Sequence, residues 1–163
     1  LSGTELWTVA PAPVDGAEAR AALLAYYTDI VGRYHDRPAT ADEIRTAMEE
    51  EPSDGLAPPH GRFLLGRYAG DVAGCAGVRL LEPGTGELTR VFVRPERRGT
   101  GGGALLLAAA EEAARELGAV LLRLDTRADL VEARALYAAR GYREIPAYHD
   151  GPYADHFFEK ALV

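Results

Sequence analysis

Residues 91–107, VFVRPERRGTGGGALLL, constrain the fold more than any other stretch of this chain. They read as an apolar strand, a basic glycine-rich turn and an Ala/Leu-rich helix. Glycine lets the backbone approach a ligand closely and point several N–H groups at it. The following helix adds the free N–H groups of its first turn and its positive dipole end. Arg97 and Arg98 stand just before the glycines. Strand, arginines, glycines and helix together make a pyrophosphate site that needs no metal.

Three kinds of pyrophosphate loop compete for this pattern. A P-loop ends in Gly-Lys-Ser/Thr, and here Gly103 is followed by Ala104 and Leu105. A dinucleotide fingerprint can be laid over Gly99, Gly101 and Ala104. Such glycines follow the first strand of their domain directly. These come past the middle of the chain, and residues 94–98 separate them from the strand. The third pattern, Arg98-x-x-Gly101-x-Gly103-Ala104 after Val93-Arg94-Pro95-Glu96, resembles the acyl-CoA loop of the GCN5-related N-acetyltransferase (GNAT) family. That resemblance implies that Arg98 and the N–H groups of Gly99, Thr100, Gly101, Gly102, Gly103 and Ala104 hold the pyrophosphate of acetyl-CoA. It also implies that Val91, Phe92 and Val93 form a strand edge beside which the pantetheine arm lies. An N–H group near Val91 or Val93 would then polarise the thioester carbonyl.

At 163 residues the chain has the length of one domain with a sizeable core, so residues 1–163 are expected to be a single acyltransferase domain. A hydrophobic fraction of 47% and a charged fraction of 26% are those of a soluble globular protein. No apolar run is long enough to span a membrane, and no secretory signal is visible. The chain starts at Leu1 rather than Met, which reads as a trimmed N-terminus. Its one cysteine, Cys75, excludes an internal disulfide and reads as a small buried side chain. A cytoplasmic setting follows, as a monomer or homodimer. The net charge of −7 argues against nucleic acid as a partner and suits a cationic acceptor such as an amine. Arg90, Arg94, Arg97 and Arg98 are the basic cluster, expected at the pyrophosphate loop. The four histidines show no metal-ligand spacing, so no metal is expected.

Along the chain, residues 5–10 alternate like a first strand. Asp15 can cap a helix over 16–34, which Arg37-Pro38 ends. Thr40 can start a second helix. Residues 52–61, with three prolines and two glycines, read as a loop. Strands over 62–69 and 72–81 meet at Gly70-Asp71, a hairpin signal. After the turn at 83–86, residues 88–93 form the next strand. The helix beyond the glycines carries an apolar stripe of Leu106, Ala109, Ala110, Ala113 and Leu117, with Glu111 and Arg115 placed to pair on the other side. Gly118 stops it. Val120, Leu122 and Leu124 alternate in a strand. Asp129-x-x-Glu132 looks like a capping box opening a helix that Gly141 ends. Residues 142–145 and 156–162 can pair as the last strands. The order β-αα-βββ-α-β-α-ββ predicts an α/β (α+β) fold, one mixed β-sheet with helices on both faces.

This order matches the same family over essentially the whole chain. A second stretch, Leu124-x-Thr126 through Leu136-Tyr137-Ala138-Ala139-Arg140-Gly141-Tyr142, resembles the family's later motif. The resemblance implies that Tyr137 is the general acid for the departing thiolate. A phenol with an ordinary pKa of ~10 is protonated at neutral pH and can donate there. By itself, Leu136-Tyr137 also fits an apolar helix face. Glu87 matches a glutamate used as general base, often through water, in many relatives. As a bare residue it reads equally as a turn-edge carboxylate paired with an arginine such as Arg90. One position departs from the family: many relatives carry an amide seven residues before the tyrosine, and here stands Leu130.

The resemblance draws the acceptor pocket from the first helices and the last loop, which supply Tyr26, Tyr27, Tyr34, His35, Tyr148, His149, Asp150, Tyr153 and Asp155. Tyrosines with carboxylates suit an amine through cation–π and ion-pair contacts. The expected activity is acetyl transfer from acetyl-CoA to a primary amine of a small molecule or peptide, by direct attack in a ternary complex. The alternatives are an acyl-CoA-binding regulatory module of the same fold and a nucleotide-linked oxidoreductase.

Overall fold

The computed structural model describes residues 3–162. After a 3-10 turn over Gly3–Leu6 come strand β1 (Trp7–Pro11), helices α1 (Ala17–His35) and α2 (Ala41–Glu50), and strands β2 (Gly61–Tyr68), β3 (Asp71–Glu82) and β4 (Thr85–Val93). A second 3-10 turn, Pro95–Arg97, leads into α3 (Gly102–Glu116), β5 (Leu121–Thr126), α4 (Val131–Ala139), β6 (Arg143–Ile145) and β7 (His156–Ala161). The element order is the expected one. The strands form one sheet of seven in the order β1-β2-β3-β4-β5-β7-β6.

Every neighbouring pair in the sheet is antiparallel except β4 and β5. Those two run parallel because α3 crosses between them. They pair only where Thr85, Gly86 and Glu87 meet Leu121, Leu122 and Arg123. Beyond Glu87 the strands part. Among the described residues, the β5-facing edge of β4 over 88–93 therefore has no strand partner.

Period-2 alternation assigns the side chains to the two faces. Leu64, Ala76, Val78, Leu88, Leu122 and Leu124 pack with Leu106, Leu107, Ala110 and Ala114 of α3 and Tyr137 of α4. Phe63, Leu65, Cys75 and Phe92 pack with Ala19, Ala22, Leu23 and Tyr27 of α1. So α3 and α4 cover one face, and α1 and α2 the other. The alternate residues of β3, β4 and β5, namely Arg79, Glu87, Arg123 and Asp125, point toward the α1/α2 side.

Local details correct several sequence expectations. The first strand starts at Trp7, because residues 3–6 wind into the 3-10 turn. Gly16, not Asp15, is the N-cap of α1, and no side chain caps it. Thr40 does start α2, with a reciprocal capping box to Glu43. The β2–β3 turn sits one residue earlier, at Ala69 and Gly70, both at positive φ as a type I′ turn requires. Glu111 is buried rather than solvent-facing. It accepts from the Tyr142 hydroxyl at 2.8 Å and from Lys160 at 3.1 Å, while Arg115 pairs with Glu112 at 3.3 Å. The buried face of α3 is simply wider than the stripe, and includes Leu107 and Ala114. Val120 is exposed, since β5 begins at Leu121. The 129–132 capping box does not form. Leu130 is the N-cap of α4, Asp129 binds Arg127 at 2.8 Å, and Glu132 reaches across to Arg33 of α1.

Candidate active site

A cavity of about 1420 Å³ opens where β4 and β5 part. Its walls include residues 88–93 of β4, Arg98, Gly99, Gly101, Gly102, Gly103 and Ala104, and also Glu87, Tyr137, Asp125 and Leu130. Two sequence stretches that resembled ligand-binding motifs thus face one space.

The glycine turn is shaped by three constraints. Gly99 and Gly101 sit at φ 79° and 94°, a region costly to residues with a Cβ. Gly102 is packed against β1: a Cβ there would lie 2.2 Å from the Trp7 ring. Trp7 Nε1 also donates to Thr100 Oγ1 at 2.9 Å. The Thr100 side chain therefore braces the loop from behind, and Thr100 is not on the cavity wall. Leu105 makes the first helical bond of α3, to Gly101 O at 3.3 Å. The N–H groups of Gly102, Gly103 and Ala104 precede it and have no partner within the helix. That is a cradle for an anion.

The arginines divide differently from the sequence expectation. Of the four arginines in the basic cluster, Arg90, Arg97 and Arg98 reach the cavity wall and Arg94 does not. Arg98 donates to Val93 O at 3.2 Å and pairs with Asp29 at 3.2 Å. Arg97 lies over the Tyr68 ring at 4.3 Å. Arg94 donates to Val72 O. Arg90 is buried and bonds Thr89 Oγ1 and the carbonyls of Glu51 and Pro52. It sits in a bulge. Ala76 of β3 faces two residues of β4, between the pairs Cys75–Phe92 and Gly77–Thr89. Arg90 takes φ 54° there, and Cys75 Sγ donates to its carbonyl at 3.3 Å. The bulge bends the free β4 edge just beyond the vertex of the splay.

At that vertex the two faces of the sheet meet. Glu87 points from the α1/α2 side and is buried. Its Oε1 accepts from Arg79 Nε at 3.1 Å and Nη2 at 2.9 Å, and its Oε2 from the Tyr148 hydroxyl at 2.9 Å. Its arginine partner is therefore Arg79, directly across β3, rather than Arg90. Tyr137 comes from the α3/α4 side and is buried against Tyr142 and Phe158. Burial, then the charges of Asp125 and Glu132, push its phenol far above the ordinary range, so it stays protonated.

The model of the acetyltransferase (GNAT) family matches residues 22–142. The chain belongs to this family. It is 38% identical over 112 residues to an IAA acetyltransferase of Azospirillum brasilense, covering 66% of this chain and 72% of that one. Its fold matches the PaiA N-acetyltransferase of Thermoplasma acidophilum in complex with coenzyme A, at a TM-score of 0.73 and 16% identity over 95% of this chain and 98% of that one. It also matches a GNAT acetyltransferase of Elizabethkingia anophelis with acetyl-CoA bound, at a TM-score of 0.65 and 16% identity over 96% of this chain and 99% of that one. The protein is an acetyl-CoA-dependent N-acetyltransferase, with acetyl-CoA as cosubstrate.

The wall of this GNAT cavity away from the glycine turn gathers side chains from distant segments. Tyr26, Tyr27, Tyr34 and His35 come from α1, and Tyr148, His149 and Tyr153 from the β6–β7 loop. Tyr34 and Tyr153 meet edge to face at 5.3 Å, joining the two walls. Tyr27 is fully buried, and its hydroxyl donates to Glu51 at 3.0 Å. Asp150 and Asp155 are not on the wall. Asp155 instead accepts from Ala128 N at 2.9 Å and ties the last loop to the end of β5. The carboxylates on the cavity wall include Glu43, which pairs with His35 at 3.0 Å, and Glu50, Glu51, Glu82, Glu87 and Asp125.

Three contributors escaped the sequence analysis: Trp7 under the glycine turn, Arg79 on Glu87, and Asp125. A weak signal existed for Asp125, because aspartate is depleted in strand interiors and this one interrupts a Leu-rich strand. No local signal links Trp7 to a loop ninety-three positions away.

Proposed function

We propose that residues 1–163 act as a single N-acetyltransferase domain that acetylates a primary amine of a small molecule or peptide by direct attack in a ternary complex. The observation that carries this reading is the convergence of Glu87 and Tyr137, from opposite faces of the sheet, on the cavity lined by the glycine turn. A module that only bound acyl-CoA would have no use for that pair.

In this reading Arg98 and the N–H groups of Gly99, Thr100, Gly101, Gly102, Gly103 and Ala104 hold the pyrophosphate. The unpaired β4 edge at Val91, Phe92 and Val93 carries the pantetheine arm like an added strand. One N–H of Val91 or Val93 polarises the thioester carbonyl. Leu130 stands where many relatives use an amide, so the arm is held there by main chain and apolar contact.

An ammonium must lose one proton before its nitrogen can attack, and a second leaves as the amide forms. Glu87 accepts the first, directly or through water. Tyr137 donates a hydrogen bond to the departing sulfur. A thiolate of ordinary pKa, ~8.5, is a weaker base than the raised phenolate of Tyr137. Tyr137 therefore stabilises the forming thiolate by hydrogen bonding, and the second amine proton ends on sulfur. The products are the amide, free CoA thiol and one proton released to solvent. A cytoplasmic setting belongs to the same proposal, supported by the single free thiol, and so does a monomer or homodimer.

The test is the pH–rate profile of Glu87→Gln with a good amine. The rate should fall about tenfold or more at the acidic end, within the range for loss of a general base, and approach wild type as solution deprotonates the amine. A variant profile superposable on wild type would remove Glu87 from the mechanism.

A further inference from the structure

Glu87 is not alone at the vertex. One ligand atom each from Glu87, Asp125 and His149 lies within 4.8 Å of the others. Asp125 is two residues past Arg123, the last β5 residue paired to β4. It therefore flanks the opening on the β5 side as Glu87 does on the β4 side. The proposed thioester site, at the β4 edge near Val91 and Val93, lines the same cavity.

The hydrogen bonds fix what each group can do. His149 Nδ1 accepts the N–H of Gly151 at 3.0 Å. A backbone N–H can only donate, so Nδ1 carries no proton in this arrangement. The proton is on Nε2, which lies 2.8 Å from Asp125 Oδ2 and donates to it. Both ring nitrogens are thus engaged, and His149 has no lone pair left to take a proton or bind a metal. Its ring is wedged edge-on between Tyr148 at 5.1 Å and Phe157 at 4.9 Å. The chain Gly151 N–H to His149 to Asp125 holds one carboxylate oxygen and leaves the other for a ligand.

Resting on the amine reading above, we propose that Asp125 is a binding residue for the acceptor. It docks the incoming ammonium beside Glu87, and His149 is the positioning residue that aims it. The division of labour follows from the contacts. Glu87 is buried and takes three hydrogen bonds from Arg79 and Tyr148. Asp125 is more open, with a side-chain exposure of 36%, and accepts a hydrogen bond from His149 on Oδ2. An ammonium with three donors needs more than one acceptor. Two carboxylates from the two sides of the splay would hold it in line with the carbonyl, and Glu87 would then take its proton.

The experiment is steady-state kinetics on the full chain with a primary amine that wild type acetylates, for Asp125→Asn, His149→Phe and His149→Gln. Loss of a charged hydrogen bond partner predicts a rise in acceptor KM of about tenfold or more for Asp125→Asn. The KM for acetyl-CoA should stay within twofold and kcat within about threefold, whereas Glu87→Gln lowers kcat. His149→Phe should raise acceptor KM in the same sense. His149→Gln, which keeps a donor for Asp125, should restore most of it; a merely structural ring would not be rescued that way. An unchanged acceptor KM in Asp125→Asn overturns this inference and leaves the Glu87 reading intact. A parallel rise in both KM values, or equal effects of Phe and Gln at 149, overturns it as well. A wild-type preference for alcohols over amines overturns the acceptor reading and this inference together.

Discussion

In the glycine turn, the consecutive residues Gly102, Gly103 and Ala104 line one cavity wall, and their main-chain N–H groups have no partner within α3. At the other end of the same cavity, Glu87 receives the hydroxyl of a tyrosine sixty-one positions away, and Asp125 the imidazole of a histidine twenty-four positions away. The donor end is local and built of backbone. The acceptor end is built of side chains that only the finished sheet brings together. The consequence is chemical as well as structural. Backbone N–H groups bind any pyrophosphate in the same way, so this part of a GNAT site can stay fixed. Side chains on α1 and the β6–β7 loop can vary one at a time, and under the proposed function this is the part that would select the amine.

Substitutions should separate the two ends. The largest effect is expected at the seam between them. Tyr137→Phe should lower kcat by ~10²–10³, the usual cost of removing one hydrogen-bond donor aimed at developing negative charge. Affinity for acetyl-CoA, measured by calorimetry, should change less than threefold. Comparable losses in both would mean that the phenol is packing for the donor end.

Next comes the donor end itself. Gly101→Asp should weaken CoA binding by roughly a hundredfold or more. It combines ~1–2 kcal/mol of strain at φ 94° with a negative charge facing phosphate. Gly101→Ala carries the strain alone and should lose no more than about thirtyfold. Equal losses in the two variants would show that no anion binds there.

The strand, turn and helix start on one cavity wall were legible in the sequence because their determinants are contiguous. Residues 91–104 hold strand, arginines, glycines and helix start in one run. The element order was legible for a similar reason, since periodicity and turn residues are local signals. Three kinds of misreading share one physical cause. Glu111 looked solvent-exposed until Lys160 and Tyr142 arrived from the last strands to pair with it. Arg90 looked like part of the phosphate cluster, but the β4 bulge turns it toward the carbonyls of Glu51 and Pro52. Asp129 and Glu132 looked like a cap, and both found arginines instead. Each depends on a partner at long range, and propensity carries no information about such partners. Asp150 and Asp155 belong here too: the resemblance placed them in the acceptor pocket, but neither lines the cavity and Asp155 instead accepts from Ala128 N.

A smaller effect probes the acceptor side through pH. Burial raises the Cys75 thiol from 9.0 to about 12. Burial likewise raises the phenols of Tyr27, Tyr137 and Tyr148 well above 10.0. The folded chain keeps these protons while the unfolded chain releases them near 9 to 10. The unfolded state then binds fewer protons, so stability falls as pH rises through that window. Below pH 9 these groups should add no slope. Above it, each should cost up to about 1.4 kcal/mol per pH unit until it titrates in the fold. Urea midpoints at pH 8 and pH 10.5 measure this, and Cys75→Ala should reduce the slope. Equal midpoints would contradict the burial of these four groups.

The measurement that bears most directly on the whole account is free-thiol release from acetyl-CoA by the wild-type protein against matched primary amines and alcohols. The account predicts one thiol released per amine acetylated, with amines far ahead of their alcohol counterparts. Stoichiometric acetyl-CoA binding with no amine-dependent thiol release would contradict it.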